Sequence, residues 1–262
     1  MEKTLKLPLF LRRNNELTMT HYGREFLPYV QKAFTELQSG CDGLEQMSSP
    51  DSGRVRLAFS FIFSLASIPD LLRYVFLKSA RASRQIDLQT VMVNNGYDTQ
   101  IVEDRLLDGS ADLGLTCARV REEIESVVVG RKEHVLLLPK SHHLAGAERL
   151  SLHEVKDEPF ILISSDTEDS GNWYMGLFKS DGLSPKLIHP GMDWLSLFLE
   201  VSAGKCLTIA PRCDLSSYDI ACVELDHPQR TRDMHLAWPS NRKLSRACLY
   251  TRQLILDYFS EI

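Results

Sequence analysis

Between Arg54 and Thr116 the apolar pattern switches repeatedly between two periods, and this restricts the fold more than any other feature of the chain. Residues 54–60, RVRLAFS, alternate like a strand. Leu65 to Arg81 has helical spacing with Pro69 near its first turn, where a missing N–H is tolerated, and Ile86 to Val93 is again strand-like. Thr99 is placed to cap a helix through Leu107 that ends at Asp108-Gly109, and Leu113 to Thr116 reads as a short buried strand. Strand, helix, strand, helix, strand predicts a parallel α/β sheet.

A second series follows. Val135–Leu138 and Phe160–Ile163 read as strands, with a helix near Asn172–Lys179 and a strand at Lys186–His189. Asp193 precedes a helix from Trp194 to Ala203, and Cys206–Ala210 is a strand closed by Pro211. Ala221–Leu225 and Met234–Trp238 are further strands, and Ser245 is placed to cap a last amphipathic helix through Tyr258. Two α/β units in one chain put a ligand in the crevice between them, at strand ends.

The first fifty residues are of another kind. Leu9–Arg12 and Glu16–Met19 flank Arg13-Asn14-Asn15, and asparagine tolerates the positive φ of a tight hairpin turn. Thr20 is an N-cap residue for a helix whose apolar positions are Phe26, Val30, Ala33, Leu37, Cys41 and Leu44. Steps of three and four over that length make a seam for another helix. Residues 48–53, SSPDSG, end it as a linker. Charge divides the same way. Net charge is −5, yet residues 1–32 hold six cations against three carboxylates, leaving about −8 for the rest. A small basic head on an acidic body suits a head that meets phosphates.

Several function classes find no support. No apolar run approaches the roughly 18–20 residues that span a bilayer. Cys41, Cys117, Cys206, Cys213, Cys222 and Cys248 include no CxxC pair, which argues against a zinc site or a disulfide framework and suits a reducing cytoplasm. There is no G-x-S-x-G, phosphate-binding loop or dinucleotide fingerprint, so neither an enzyme nor a cofactor is expected. Adjacent His142 and His143 would point apart on a strand, so no metal is expected there. Cys206, Cys213 and Cys222 leave a redox sensor as a rival reading.

Specific motifs add a resemblance. Residues 2–12, EKTLKLPLFLR, are similar to the tract L-E-x-x-L-G-x-x-L-F-x-R that closes the winged helix-turn-helix of LysR-type transcriptional regulators, with Lys6 where a helix-ending Gly is usual. Met19–Gly23 resembles L-T-x-A-G at the start of that family's linker helix, with Tyr22 at the Ala position. In the body, Gly53–Leu57, Leu107–Leu115, Leu138–Ala145 and Ala203–Pro211 resemble four further family tracts in the right order. His143 replaces the Pro of L-P-x-x-H-P-L-A, and Cys206 the second Gly of A-G-x-G-[IV]-x-x-x-P.

The resemblance implies an α/β fold: a two-subdomain, periplasmic-binding-protein-like effector domain preceded by a remnant winged-helix hairpin and a long linker helix. Residues 1–19 would be the remnant, with the family's earlier helices expected upstream of Glu2. Residues 20–52 would be linker and hinge, 53–140 with 233–262 subdomain I, and 141–232 subdomain II. Arg12, Arg13 and Thr20 would touch DNA backbone, and Phe26, Val30, Ala33 and Leu37 would pair in a dimer or tetramer. The effector would meet Ser60, Phe61 and Ile62 at the first strand-to-helix turn, with Thr99, Thr116, Ser164 and Asp193 facing the same cleft. Free N–H groups at that turn favour an anion. Phe61, Ile62 and Phe63 make it apolar, so the expected effector has an acidic end and an apolar or aromatic part.

The function implied is ligand-responsive regulation of transcription in the cytoplasm, with DNA, a small-molecule effector and a second copy as partners, and no membrane. The effector would shift the balance between two arrangements of paired heads. Two alternatives stay open: an effector-binding and oligomerising module without its own base-specific DNA contacts, and a solute-binding protein of the related fold.

Overall fold

The computed structural model describes residues 1–13, 16–48, 51–60, 63, 65, 67–93, 98–117, 120–163, 170–191 and 193–261, with backbone alone at 12, 13, 16, 39, 42, 43, 45–48, 98 and 170–172. After a single helical turn, α1 (Glu2–Leu5), Lys6 takes the left-handed conformation at φ 54°. It does at the helix end what Gly does more cheaply. The hairpin follows as β1 (Phe10–Arg13) and β2 (Glu16–Met19), antiparallel with Phe10 opposite Met19 and Arg13 opposite Glu16. Glu2 Oε1 accepts from the Leu9 and Phe10 amides at 2.6 and 3.0 Å, which holds its carboxyl below the usual range.

Thr20 caps α2 (His21–Ser48) as expected, its Oγ1 accepting from Gly23 N at 3.0 Å. The same hydroxyl donates to Pro8 O at 2.6 Å, fixing the hairpin to the helix. A Cβ at Gly23 would overlap Leu9 O, so the hairpin backbone comes closer here than any side chain would permit. The helix runs on through Gly40 to Ser48, and β3 (Ser52–Ser60) begins four residues later.

In the body, β3 lies parallel to both β4 (Gln85–Val93) and β5 (Leu113–Thr116). Helix α3 (Ile68–Arg81) starts with Pro69 in its first turn, where proline costs no hydrogen bond. Helix α4 (Asp98–Leu107) places Thr99 inside its first turn, so Thr99 is not the residue before the helix that the sequence reading made it. The sheet is mixed rather than purely parallel. β12 (Thr231–Pro239) runs antiparallel to β5 on one side and to β6 (Ile124–Pro139) on the other.

β6 joins the two halves. Its first residues pair with β12 as far as Glu133 opposite Thr231. From His134 onward it pairs instead with β10 (Thr208–Pro211) and β11 (Ile220–Leu225), and β11 continues to β7 (Arg149–Leu150). Val135–Leu138, with a strand on each side, are fully buried, which is why only this portion reads as an apolar run. The second half also holds β8 (Pro159–Phe160), α5 (Ser170–Ser180), β9 (Lys186–Leu187) and α6 (Trp194–Ser202). Phe160 and Phe178 meet edge to face at 5.1 Å in its core.

The chain then returns through β12 to α7 (Arg246–Glu261), which packs on α3 and β3. Ser245 caps it, Oγ accepting from Cys248 N at 3.0 Å, as the sequence predicts. Asp112 ties the first half together. Its carboxylate accepts from Arg56 N, Nε and Nη2 at 2.8, 3.1 and 3.0 Å and from Arg242 Nη2 at 3.1 Å. The fold is thus two α/β subdomains linked by paired crossing strands.

Candidate functional site

The crossing strands form the floor of an open cleft of about 530 Å³. Ser126 and Val128 come from β6, and Thr231, Arg232, Asp233 and His235 from β12. Cys117, just past β5, is one wall and Trp173 of α5 the other, so each half supplies a side. The Arg232 guanidinium lies over the Trp173 indole at 5.0 Å, a cation–π contact between a crossing strand and the second half.

The crossing strands divide their charge by face. Lys132 and Arg232 are direct partners across β6 and β12, so they share a face of the sheet. Among the described residues neither takes part in an ion pair, whereas Arg131 and Asp233 on the opposite face do, Nε to Oδ1 at 3.2 Å. Burial pushes the Lys132 amine below its usual pKa. His134 is buried beside them with its ring 4.4 Å from Trp173 and 5.7 Å from Tyr174. Burial first, then the charge of Arg232, lowers it to about 3, so it is a neutral aromatic at physiological pH. Of these charged groups the cleft itself is lined by Arg232 and Asp233, beside the aromatic wall of Trp173, and Lys132 stands next to Arg232 outside the lining.

The residues expected from sequence are only partly gathered here. Ser60 and Thr116 are both buried at the carboxyl ends of parallel neighbours, with Phe59 opposite Leu115, so they lie side by side. Thr116 pairs with His235 and adjoins Cys117, which brings it to the cleft rim. Thr99 sits in the helix that follows β4, and Asp193 caps α6, both carboxylate oxygens held by Ser196 at 2.8 Å. Ile163 pairs with Gly191, so the strand leading to Ser164 runs beside the segment leading to Asp193. Phe61, Ile62 and Ser164 lie outside the described residues, as do the side chains of Arg12 and Arg13. None of Ser60, Thr99, Thr116 and Asp193 lines the cavity itself. Sequence reasoning missed Trp173, Arg232 and His235, which line the cavity, and Lys132 beside Arg232. Strand signals for β12 were present, but pairing Lys132 with Arg232 requires the register of β6 on β12.

Two further expectations concern the linker helix and the paired histidines. Along α2, Leu27, Val30, Phe34, Leu37 and Leu44 are exposed, whereas Phe26 is half-buried. Of the predicted seam, Val30, Ala33, Leu37, Cys41 and Leu44 are exposed and only Phe26 is half-buried, while Leu27 and Phe34 add large apolar side chains beside it. His142 and His143 lie in a turn, not a strand, with ring centroids 4.5 Å apart, so they do not point away from each other. For the cysteines, burial pushes Cys206 up to about 11 and Cys213 up to about 12, the opposite of a reactive thiolate. No helix among the described residues is long and apolar enough to cross a membrane.

Known proteins agree with this architecture. YybE of Bacillus subtilis (strain 168), an uncharacterized HTH-type transcriptional regulator, is 27% identical over 270 residues, covering 100% of this chain and 87% of its own. Full-length CbnR complexed with its target DNA superposes with a TM-score of 0.75 at 16% identity, covering 98% of this chain and 86% of its own. The effector-binding domain of QuiR in complex with shikimate gives 0.69 at 21% identity over 80% of this chain and 98% of its own. The LysR substrate binding domain model matches residues 48–260. With that match over most of its length, the chain belongs to the LysR family of transcriptional regulators.

Proposed function

We propose that the chain regulates transcription in response to a small carboxylate with an apolar ring, bound in the cleft between the two halves. The observation that carries this is Arg232, which lines the cleft over Trp173 and has Lys132 as its direct partner across the crossing strands. Like charges opposite one another disfavour the sheet, and a carboxylate between them offsets that cost. Trp173 offers its face to a ring. The effector-binding domain of QuiR, similar in fold, is in complex with shikimate, a small ring carboxylate.

In this reading Ser60, Phe61, Ile62, Thr99, Thr116, Ser164 and Asp193 form the rim that recognises the rest of the effector. Residues 53–140 with 233–262 and residues 141–232 act as the two bodies that close on it. The chain works in the cytoplasm, pairs through α2, and couples cleft closure to DNA held by Arg12, Arg13 and Thr20, without catalysis. CbnR, complexed with its target DNA, supports the DNA-bound arrangement.

Thermal melting with paired probes tests the effector class. Benzoate and shikimate should raise Tm in a concentration-dependent way, and benzamide, which keeps the ring without the charge, should not. Equal shifts from the acid and the amide, or none from any carboxylate, would overturn the assignment.

A further inference from the structure

The turn after β6 and the segment before β8 bring together three metal-ligating side chains that take no part in the cleft. One donor atom from each of His142, His143 and Glu158 lies within 4.8 Å of the other two. His142 Nε2 and Glu158 Oε1 are 3.4 Å apart. Zinc–ligand bonds of about 2.0–2.1 Å in a tetrahedron put two ligands about 3.3–3.4 Å apart. This is the edge length already present.

The His142 side chain is nearly nine-tenths buried, at 11% exposure, and its Nε2 has no hydrogen-bond partner despite the nearby carboxylate. Buried side-chain nitrogens are rarely left so, and coordination of an ion is one way to satisfy them. The His143 ring flanks the same point, tilted 32° to that of His142, and its residue is exposed. Two imidazoles and one carboxylate, without thiolate, suit a borderline divalent ion such as zinc, whereas calcium and magnesium prefer oxygen ligands throughout.

We propose that His142, His143 and Glu158 bind a borderline divalent metal, zinc foremost, with a fourth position open to water. The ion clasps the turn that ends the crossing strand to the segment leading into β8. The proton movement is defined. Leu144 N donates to His142 Nδ1 at 3.2 Å, so the neutral ring carries its proton on Nε2, facing Glu158. A metal on Nε2 requires that proton on Nδ1, and the Leu144 amide is released.

The test is zinc titration of the reduced full chain against a chromogenic chelator, alongside amide spectra by NMR. One equivalent should bind, and His143→Ala and Glu158→Gln should each weaken it by about tenfold or more. The Leu144 amide resonance should move with zinc in the parent chain and stay fixed in both variants. Both substitutions are at solvent-accessible positions, and unchanged melting without metal confirms that they fold. Equal zinc binding by parent and variants would place the ion on the cysteines or other histidines and overturn the proposal. A still Leu144 amide at saturating zinc, or no binding at all, would overturn it equally.

Discussion

The guanidinium of Arg232 and the indole of Trp173 meet 5.0 Å apart across the cleft, one on a crossing strand and the other on a helix of the second half. The contact holds the helix of the second half against the strand on which the chain crosses back, so whatever binds Arg232 acts where the two halves join. Arg232→Gln removes the cation and keeps a planar polar head. It should lower carboxylate affinity by about tenfold or more, since a charge-assisted pair is lost. Stability should fall by only about 0.5–1 kcal/mol, the worth of an accessible cation–π contact. Calorimetric titration with the carboxylate that shifts Tm most, and urea melts without it, measure the two effects separately.

Lys132 gives the reciprocal case. It is half-buried on the same face as Arg232, and burial lowers its pKa. Lys132→Met removes the like-charge opposition and the cost of burying an amine. The unliganded chain should melt at the same temperature or higher while carboxylate binding weakens. A variant that loses both stability and binding would mean that Lys132 is structural.

His134 sets a pH dependence. Its folded pKa is about 3 against an ordinary 6.5, so the unfolded chain takes up a proton between those values and the folded chain does not. Its stabilising effect is full above about pH 6.5 and is lost as pH falls toward 3, a total of a few kcal/mol. His134→Phe keeps a ring against Trp173 and Tyr174 but cannot titrate. Melts at pH 7.5, 6 and 5 should fall less steeply for the variant. Parallel curves would remove His134 as the cause.

Much of the framework is legible in the residues, and its exceptions have physical causes. Thr20, Asp193 and Ser245 cap the helices the sequence assigns them to, because capping is decided within three residues. Residues 124–134 give no strand signal because the first part of β6 is largely exposed and lacks a continuous apolar run. The cleft depends on that same strand. Lys132 and Arg232 are 100 residues apart, and no local pattern shows that they pair. Thr99 illustrates the usual slip at a helix boundary, where Asp98 one residue earlier takes the first helical position.

Gly109 joins the linker helix to the body. Its φ is +76°, and a Cβ there would overlap Thr35 Cγ2 of α2. Gly109→Ala should cost about 1–2 kcal/mol for the left-handed backbone alone, with the clash in addition. Adding Thr35→Ala removes the clash and leaves the backbone term, so the double variant should recover part of the loss. Recovery to the parent value would mean that the backbone term is absent, and no recovery would mean that α2 does not press on this turn. Urea denaturation of the four proteins in the cycle separates these outcomes.

The exposed seam of α2 makes the last prediction. Leu27, Val30, Phe34, Leu37 and Leu44 follow each other in steps of three, four, three and seven, and Phe34 and Leu37 are 67% and 71% exposed. A repeat averaging 3.5 residues keeps one stripe facing a partner helix over its whole length. A lone chain would leave this stripe in water, so the chain should be a dimer or larger by light scattering at micromolar concentration. Burying a Leu or Phe contributes about 1.5–3 kcal/mol per side chain. Phe34→Glu with Leu37→Glu therefore removes about 3–6 kcal/mol per helix, a weakening of at least about a hundredfold. The double variant should run as a monomer. Its body should melt as before, because neither side chain is buried within its own chain. Should it assemble as tightly as the parent, the contact between copies would lie on the body and α2 would serve only to space the hairpin from it.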